Sequence, residues 1–342
     1  MAGFKRLAFN PMRINLSQAI LGVAIVLLSA CSSIPIDSNR NGDVPLQESH
    51  SILNLPYFPQ EDDQCGPASL ATMLAARDIN VSPEALRAQV YIPSKQGSLT
   101  TEMVARARRQ GLLVYPLKPQ LFDIVAEVSA DNPVLVLQNL GFNWLPRWHF
   151  TVVIGYDLAQ QSLTLRSGQH RNYQVPIALF LKTWQRADHW AVIINKPQQL
   201  PQTAEQAVFL KAANELELVG ETEAALAAYK TALKHWPDNT LAFFGAANSA
   251  YALGNYAQAS DFFKGYLKQA PNSAAGWNNF AYSLLENNCL DEATNAIDCA
   301  LKLAPTNAEY LDSYSEITEQ VKHPKQSQNM ANINCELPRC PL

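Results

Sequence analysis

Apolar positions follow two regimes along this chain. From about residue 52 to 197, helix-spaced stretches give way to short apolar runs. Leu70, Met73 and Leu74 recur at helical spacing behind Pro67, which suits the first turn of a helix. Ser82-Pro83-Glu84 opens a second helix with a capping serine and an early proline. Thr100 or Thr101 opens a third, which Gly111 closes, and Gln120 to Val128 reads as a fourth after a short strand at Val114 to Leu117. Clearer strands follow at Pro133 to Leu137, His149 to Ile154, Ser162 to Leu165 and Trp190 to Ile194. A short helix spans Ile177 to Trp184, and His170 falls in a loop. Helices first and a mostly antiparallel sheet afterwards is an α+β pattern.

The second regime is periodic. Pro237, Pro271 and Pro305 are spaced by 34 residues, the tetratricopeptide period. Small residues hold the same register: Ala213, Ala247 and Ala281 in one helix, Ala225, Ala259 and Ala293 in the next. Large ones match too, at Phe209, Phe243 and Trp277 and at Tyr229, Phe263 and Ile297. Small positions let helices approach, and large ones fill the gaps between them. This predicts an all-α tetratricopeptide repeat solenoid over 204–322, with repeats at 206–239, 240–273 and 274–307 and a capping helix. Lys196 to Gln202 is a linker, and 323–342 reads as a disordered tail.

The N-terminus carries an address. Lys5, Arg6 and Arg13 precede an apolar run from Ala19 to Leu28, too short to span a bilayer, which takes ~20 residues. Leu28-Ser29-Ala30-Cys31 resembles the bacterial lipobox, which implies removal of residues 1–30 and a lipid on Cys31. Ser32 and Ser33 follow rather than Asp, so similarity to enterobacterial lipoproteins implies the outer membrane, facing the periplasm. Residues 31–51 are polar and read as a tether. Net charge is −4 with no basic run, which argues against nucleic acid as a partner. Arg106, Arg108 and Arg109 read as one helix's solvated face.

Six cysteines divide by role. Cys289 and Cys299 sit in repeat helices, where small buried cysteines are common. Cys335 and Cys340 are placed to close a short disulfide in an oxidising compartment. Cys65 stands at the start of the first helix, where unpaired amides and the helix dipole favour thiolate, the attacking species. Such a nucleophile needs a base and an oxyanion donor. His149 and His189 each open a strand, and pattern alone does not separate them. No Cys/His cluster has metal-ligand spacing, so neither metal nor other cofactor is expected.

Gln60 with Cys65-Gly-Pro-Ala, followed by His149-Phe-Thr-Val-Val-Ile-Gly-Tyr156, resembles the papain-like bacteriocin-processing peptidases, which cut leader peptides after a double glycine. The resemblance covers about 52–195 and implies a papain-like cysteine peptidase domain over 52–197. It implies Cys65 as nucleophile, His149 as base and the Gln60 amide as oxyanion donor. Gln60 lies five residues before the cysteine where the family usually has six. The family also has an aspartate on the strand after the histidine strand. A turn near Leu158 to Gln161 brings residues 167–170 opposite His149, where no acid occurs. Ser167 or Gln169 is left to orient the imidazole through a neutral hydrogen bond.

The favoured reading is a lipid-anchored cysteine peptidase acting on a protein or peptide substrate in the bacterial envelope. The repeats would dock that substrate or a partner peptide, with Asn248, Asn278 and Asn279 lining the groove. A non-catalytic assembly lipoprotein with a degenerate peptidase domain is the alternative, and another thiol enzyme on the same fold is a third.

Overall fold

The computed structural model describes residues 46–59, 64–323 and 335–341. The expected signal segment, Cys31 and Gln60 lie outside the described residues. Among those described, no helix is long and apolar enough to cross a membrane.

The first helix, α1 (Cys65–Ala75), is buried from Gly66 to Leu74. A helix apolar on every side belongs in the middle of a domain, and α1 packs between the sheet and two further helices, α2 (Pro83–Val90) and α3 (Thr100–Arg108). Ser82 caps α2 by accepting from the Ala85 amide. Between α2 and α3 a small ribbon pairs β2 (Tyr91–Ile92) with β3 (Gly97–Ser98).

The main sheet contains β1 (Ser49–Ser51), β4 (Leu113–Pro116), β5 (Val134–Asn139), β6 (Trp148–Asp157), β7 (Ser162–Ser167), β8 (His170–Pro176) and β9 (Ala191–Asn195). Its order is β4-β9-β5-β6-β7-β8, every pair is antiparallel, and β1 extends the β5 edge of β6. One face buries Phe150, Val152 and Ile154 against Leu70, Met73 and Leu74 of α1. The other is covered by α4 (Leu121–Ser129) and α5 (Ile177–Gln185), with Phe180 and Trp184 fully buried. The α+β expectation holds.

Three expectations about loops and ends do not. Residues 170–176 form strand β8 rather than a loop around His170. Its burial is confined to Val175, as expected of a polar edge strand whose backbone pairing leaves no alternating apolar signal. Ser49–Ser51, read as the end of the tether, pairs with Gly155–Asp157 of β6. The third concerns the cysteines: Cys289 pairs with Cys335 and Cys299 with Cys340, rather than Cys335 with Cys340. Ten helical residues from 289 to 299 span ~15 Å, and five extended residues from 335 to 340 span ~16 Å. The tail thus matches the helix in length, whereas its own two cysteines meet only across a turn. Residues 335–341 are accordingly held to the repeats instead of belonging to a disordered end.

Seven helices follow: α6 (Gln206–Leu218), α7 (Thr222–His235), α8 (Thr240–Ala252), α9 (Tyr256–Gln269), α10 (Ala274–Glu286), α11 (Leu290–Leu303) and α12 (Ala308–Lys322). Their starts repeat the period, since Asn239, Ser273 and Asn307 each accept a capping hydrogen bond from the amide three residues on. The left-handed residue that ends each first helix recurs as well, as Gly220, Gly254 and Asn288. The six register alanines are all fully buried.

The linker is fastened to the first domain. Buried Glu127 accepts from the amides of Gln202 and Thr203 and from Thr203 Oγ1. The Tyr115 hydroxyl donates to Thr203 O at 3.1 Å and accepts from the Glu205 amide at 2.9 Å. Arg108 pairs with Glu215 of α6, so that arginine serves the junction rather than a solvated face.

Candidate functional site

Cys65 is the first residue of α1 and is half-buried. No side chain caps this helix end. Gly66 is required there by close approach: a Cβ on it would stand 2.4 Å from Ser98 Oγ. Ser69, one turn on from Cys65, donates its Oγ–H to the Phe150 carbonyl at 3.2 Å. Since one turn advances the axis only ~6 Å, this bond lays the cysteine end of α1 against the start of β6, where His149 sits.

The β6–β7 hairpin turns at 158–161, as the sequence predicts. Gln160 donates its amide to Asp157 Oδ1 at 2.8 Å, so that aspartate serves the turn at the end remote from His149. Pairing then runs back to Val152 opposite Arg166, and the Thr151 hydroxyl donates to Arg166 O at 2.7 Å. The next residue, Ser167, places Oγ 2.8 Å from His149 Nε2. Of the two orienting candidates, Ser167 meets the imidazole, while Gln169 lies exposed on the β7–β8 turn. Burial pushes His149 down to about 4, and the Arg147 guanidinium adds to the effect. The ring is therefore neutral at pH 7.

Two contacts that the sequence did not signal hold the approach to Gln60. Buried Arg166 donates Nη2 to Leu55 O at 3.1 Å. The Tyr57 hydroxyl donates to Gly168 O at 3.0 Å. Together they tie the segment before Gln60 to the hairpin that carries Ser167.

His189 is placed otherwise. It follows α5 in a left-handed turn, and its ring meets Trp184 edge-on at 4.8 Å. His170 is exposed and stacks on Tyr173. Among the described residues, Cys289, Glu292 and Cys335 bring possible metal ligands within 4.8 Å. Those two sulfurs are bonded to each other, which withdraws them as ligands.

Two parts of the chain match known families. Residues 52–192 match the Peptidase_C39 like family. Residues 218–278 match the tetratricopeptide repeat. The C39-like domain thus comprises the sheet and α1–α5, and α6–α12 are the tetratricopeptide-like array. No curated protein matches the chain.

Solved structures similar to parts of the chain include the peptidase domain of Streptococcus ComA, a bifunctional ABC transporter. It is 22% identical with TM-score 0.32, over 40% of this chain and 95% of that one. A double-glycine-motif protease from an AMS/PCAT transporter, solved with its leader peptide, is 19% identical with TM-score 0.32, over 42% and 93%. The first repeat domain of Spaghetti (RPAP3), bound to an HSP90 peptide, is 17% identical with TM-score 0.33, over 34% and 93%.

Proposed function

We propose that this protein is a cysteine peptidase acting on a protein or peptide substrate, with Cys65 as nucleophile and His149 as base. The observation that carries the reading is the 2.8 Å contact of Ser167 with His149 Nε2, where the resemblance calls for an acid. The neutral imidazole takes the thiol proton as sulfur attacks the carbonyl carbon, and the C–N bond breaks as the ring returns that proton to the leaving amine. Water, deprotonated by the same ring, then adds to the thioester carbonyl, and the C–S bond breaks as the ring returns that proton to sulfur, which restores the thiol and the neutral imidazole. The Gln60 side chain and the Cys65 amide are the proposed oxyanion donors.

A serine orients the ring without the negative charge that steadies imidazolium. With Arg147 also opposing protonation, His149 acts by removing a proton during attack rather than by keeping a preformed ion pair. That same lack of charge favours a second reading, in which the domain binds peptides without cutting them.

The array would present its concave surface to the substrate or a partner peptide. Asn279 Nδ2 donates to Asn248 Oδ1 at 3.0 Å and Asn278 Nδ2 to Asn279 Oδ1 at 3.1 Å, so these groups bond one another across α8 and α10. Two disulfides support an exported protein, because such bonds persist in oxidising compartments. Lipid attachment at Cys31 and an outer-membrane location complete the proposal. The test is a comparison of envelope peptides from cells carrying wild type or Cys65→Ala. Cleavage products should vanish in the variant, and identical peptide sets would favour the non-catalytic reading.

A further inference from the structure

The β5–β6 connection, residues 140–147, is a hairpin built around one buried side chain. Asn139 Oδ1 accepts from the amides of Gly141 and Arg147, both at 2.9 Å. Arg186 donates Nε and Nη2 to the Asn139 carbonyl at 3.1 and 2.9 Å. Phe142 and Leu145 exchange backbone hydrogen bonds of 3.1 Å across the tip.

This fixed tip is apolar outside. Phe142 is 64% exposed, Trp144 77%, Leu145 59% and Trp148 56%, and the Phe142 and Trp144 rings stack at 5.7 Å. Single exposed apolar residues are ordinary, whereas several gathered on one ordered hairpin mark a binding surface. Polar residues would close the same turn without exposing these rings to water. The connection runs into β6 at Trp148, joined by a peptide bond to His149.

We propose that this hairpin selects the substrate: Phe142 and Trp144 at its tip receive a bulky apolar side chain of an extended peptide beside the scissile bond, while Trp148, on the opposite face of β6 from His149, takes no part. The inference deepens the peptidase reading and rests on it. A lipid surface is the other apolar phase such a tip would enter, but its position favours the peptide. Side chains two or three residues from a bond held at His149 lie ~7–10 Å away at ~3.3 Å per residue, within reach of a hairpin connection that ends at residue 147, two residues before His149.

The test alkylates the full chain with iodoacetamide and with two peptidyl chloromethyl ketones. The ketones differ only in carrying phenylalanine or aspartate at the flanking residue, and attachment to Cys65 is followed by mass. Wild type should react at least about tenfold faster with the phenylalanine reagent. Phe142→Ser with Trp144→Ser, both at exposed positions, should bring that ratio within about twofold of unity while leaving the iodoacetamide rate unchanged. Asn139→Ala, which releases the tip, should lower the ratio as well.

A ratio kept by the double variant overturns the proposal. So does a ratio near one in wild type whose thiol reacts normally with iodoacetamide. A double variant that keeps the ratio but no longer floats with phosphatidylethanolamine–phosphatidylglycerol vesicles assigns the tip to the membrane and also overturns it. Iodoacetamide that labels wild type no faster than His149→Ala strikes down the peptidase reading itself, and the selection proposal falls with it.

Discussion

The two halves of the molecule hold their shapes by different means. In the array, each structural instruction is written three times or more: a cap at Asn239, Ser273 and Asn307, buried alanines at fixed offsets, a left-handed turn after each first helix. In the C39-like domain, the groups around His149 occur once each and come from separated segments. Ser69 reaches β6 from α1, and Arg166 and Tyr57 join a hairpin to the segment before Gln60. Redundant nearest-neighbour packing makes a fold sturdy and easy to read, whereas a reactive site depends on single contacts between distant parts of the chain.

The comparison is broken most severely by damaging the array's core. Phe263 is fully buried between repeats, so Phe263→Ala should cost about 3–5 kcal/mol by denaturant unfolding. The alkylation rate of Cys65 should nevertheless stay at the wild-type value, because the Ser69–Phe150 and Ser167–His149 hydrogen bonds that build the candidate site lie within the C39-like domain. A large drop in that rate would mean that the halves are coupled through the Glu127 and Tyr115 junction.

A titration bears on the other half. His149 has its folded value depressed to about 4 from 6.5. Its contribution to stability is therefore complete above pH 6.5 and is lost as pH falls through 4. By linkage the loss approaches about 3 kcal/mol. Urea unfolding of wild type should weaken over this window more than that of His149→Gln, and equal acid sensitivity would contradict a neutral, half-buried imidazole.

The smallest change is aimed at Ser167. Removing its hydroxyl in Ser167→Ala takes away one neutral hydrogen bond worth ~1 kcal/mol, so alkylation of Cys65 should slow by roughly fivefold or less. Ser167→Asp should instead raise the imidazole's proton affinity, seen as a rise of its NMR titration midpoint toward neutral pH.

Much of this was legible in the sequence, and what was not has physical causes. The array was readable because 34-residue periodicity repeats the same packing solution. The contact of Ser167 with His149 was within reach because a hairpin's geometry follows from where it turns. Strand β8 escaped notice because Arg171, Asn172 and Gln174 are exposed and carry no apolar alternation. The disulfides were misassigned because Cys335 and Cys340 are neighbours in sequence, while their partners were set by how the tail lies on α11. Asn139, Arg166 and Ser69 act through backbone groups, which leave no mark in side-chain pattern. The aromatic residues around Trp144 were visible, but nothing in the sequence said they would stand outside.

The central claim is that Cys65 and His149 work as a pair. The most direct measurement is the second-order rate of iodoacetamide alkylation at Cys65 from pH 5 to 9, for wild type and His149→Ala. The account predicts that the variant reacts at least about tenfold more slowly near pH 7 and that the two curves meet once the thiol ionises unaided. Superimposable curves across the whole range would contradict it.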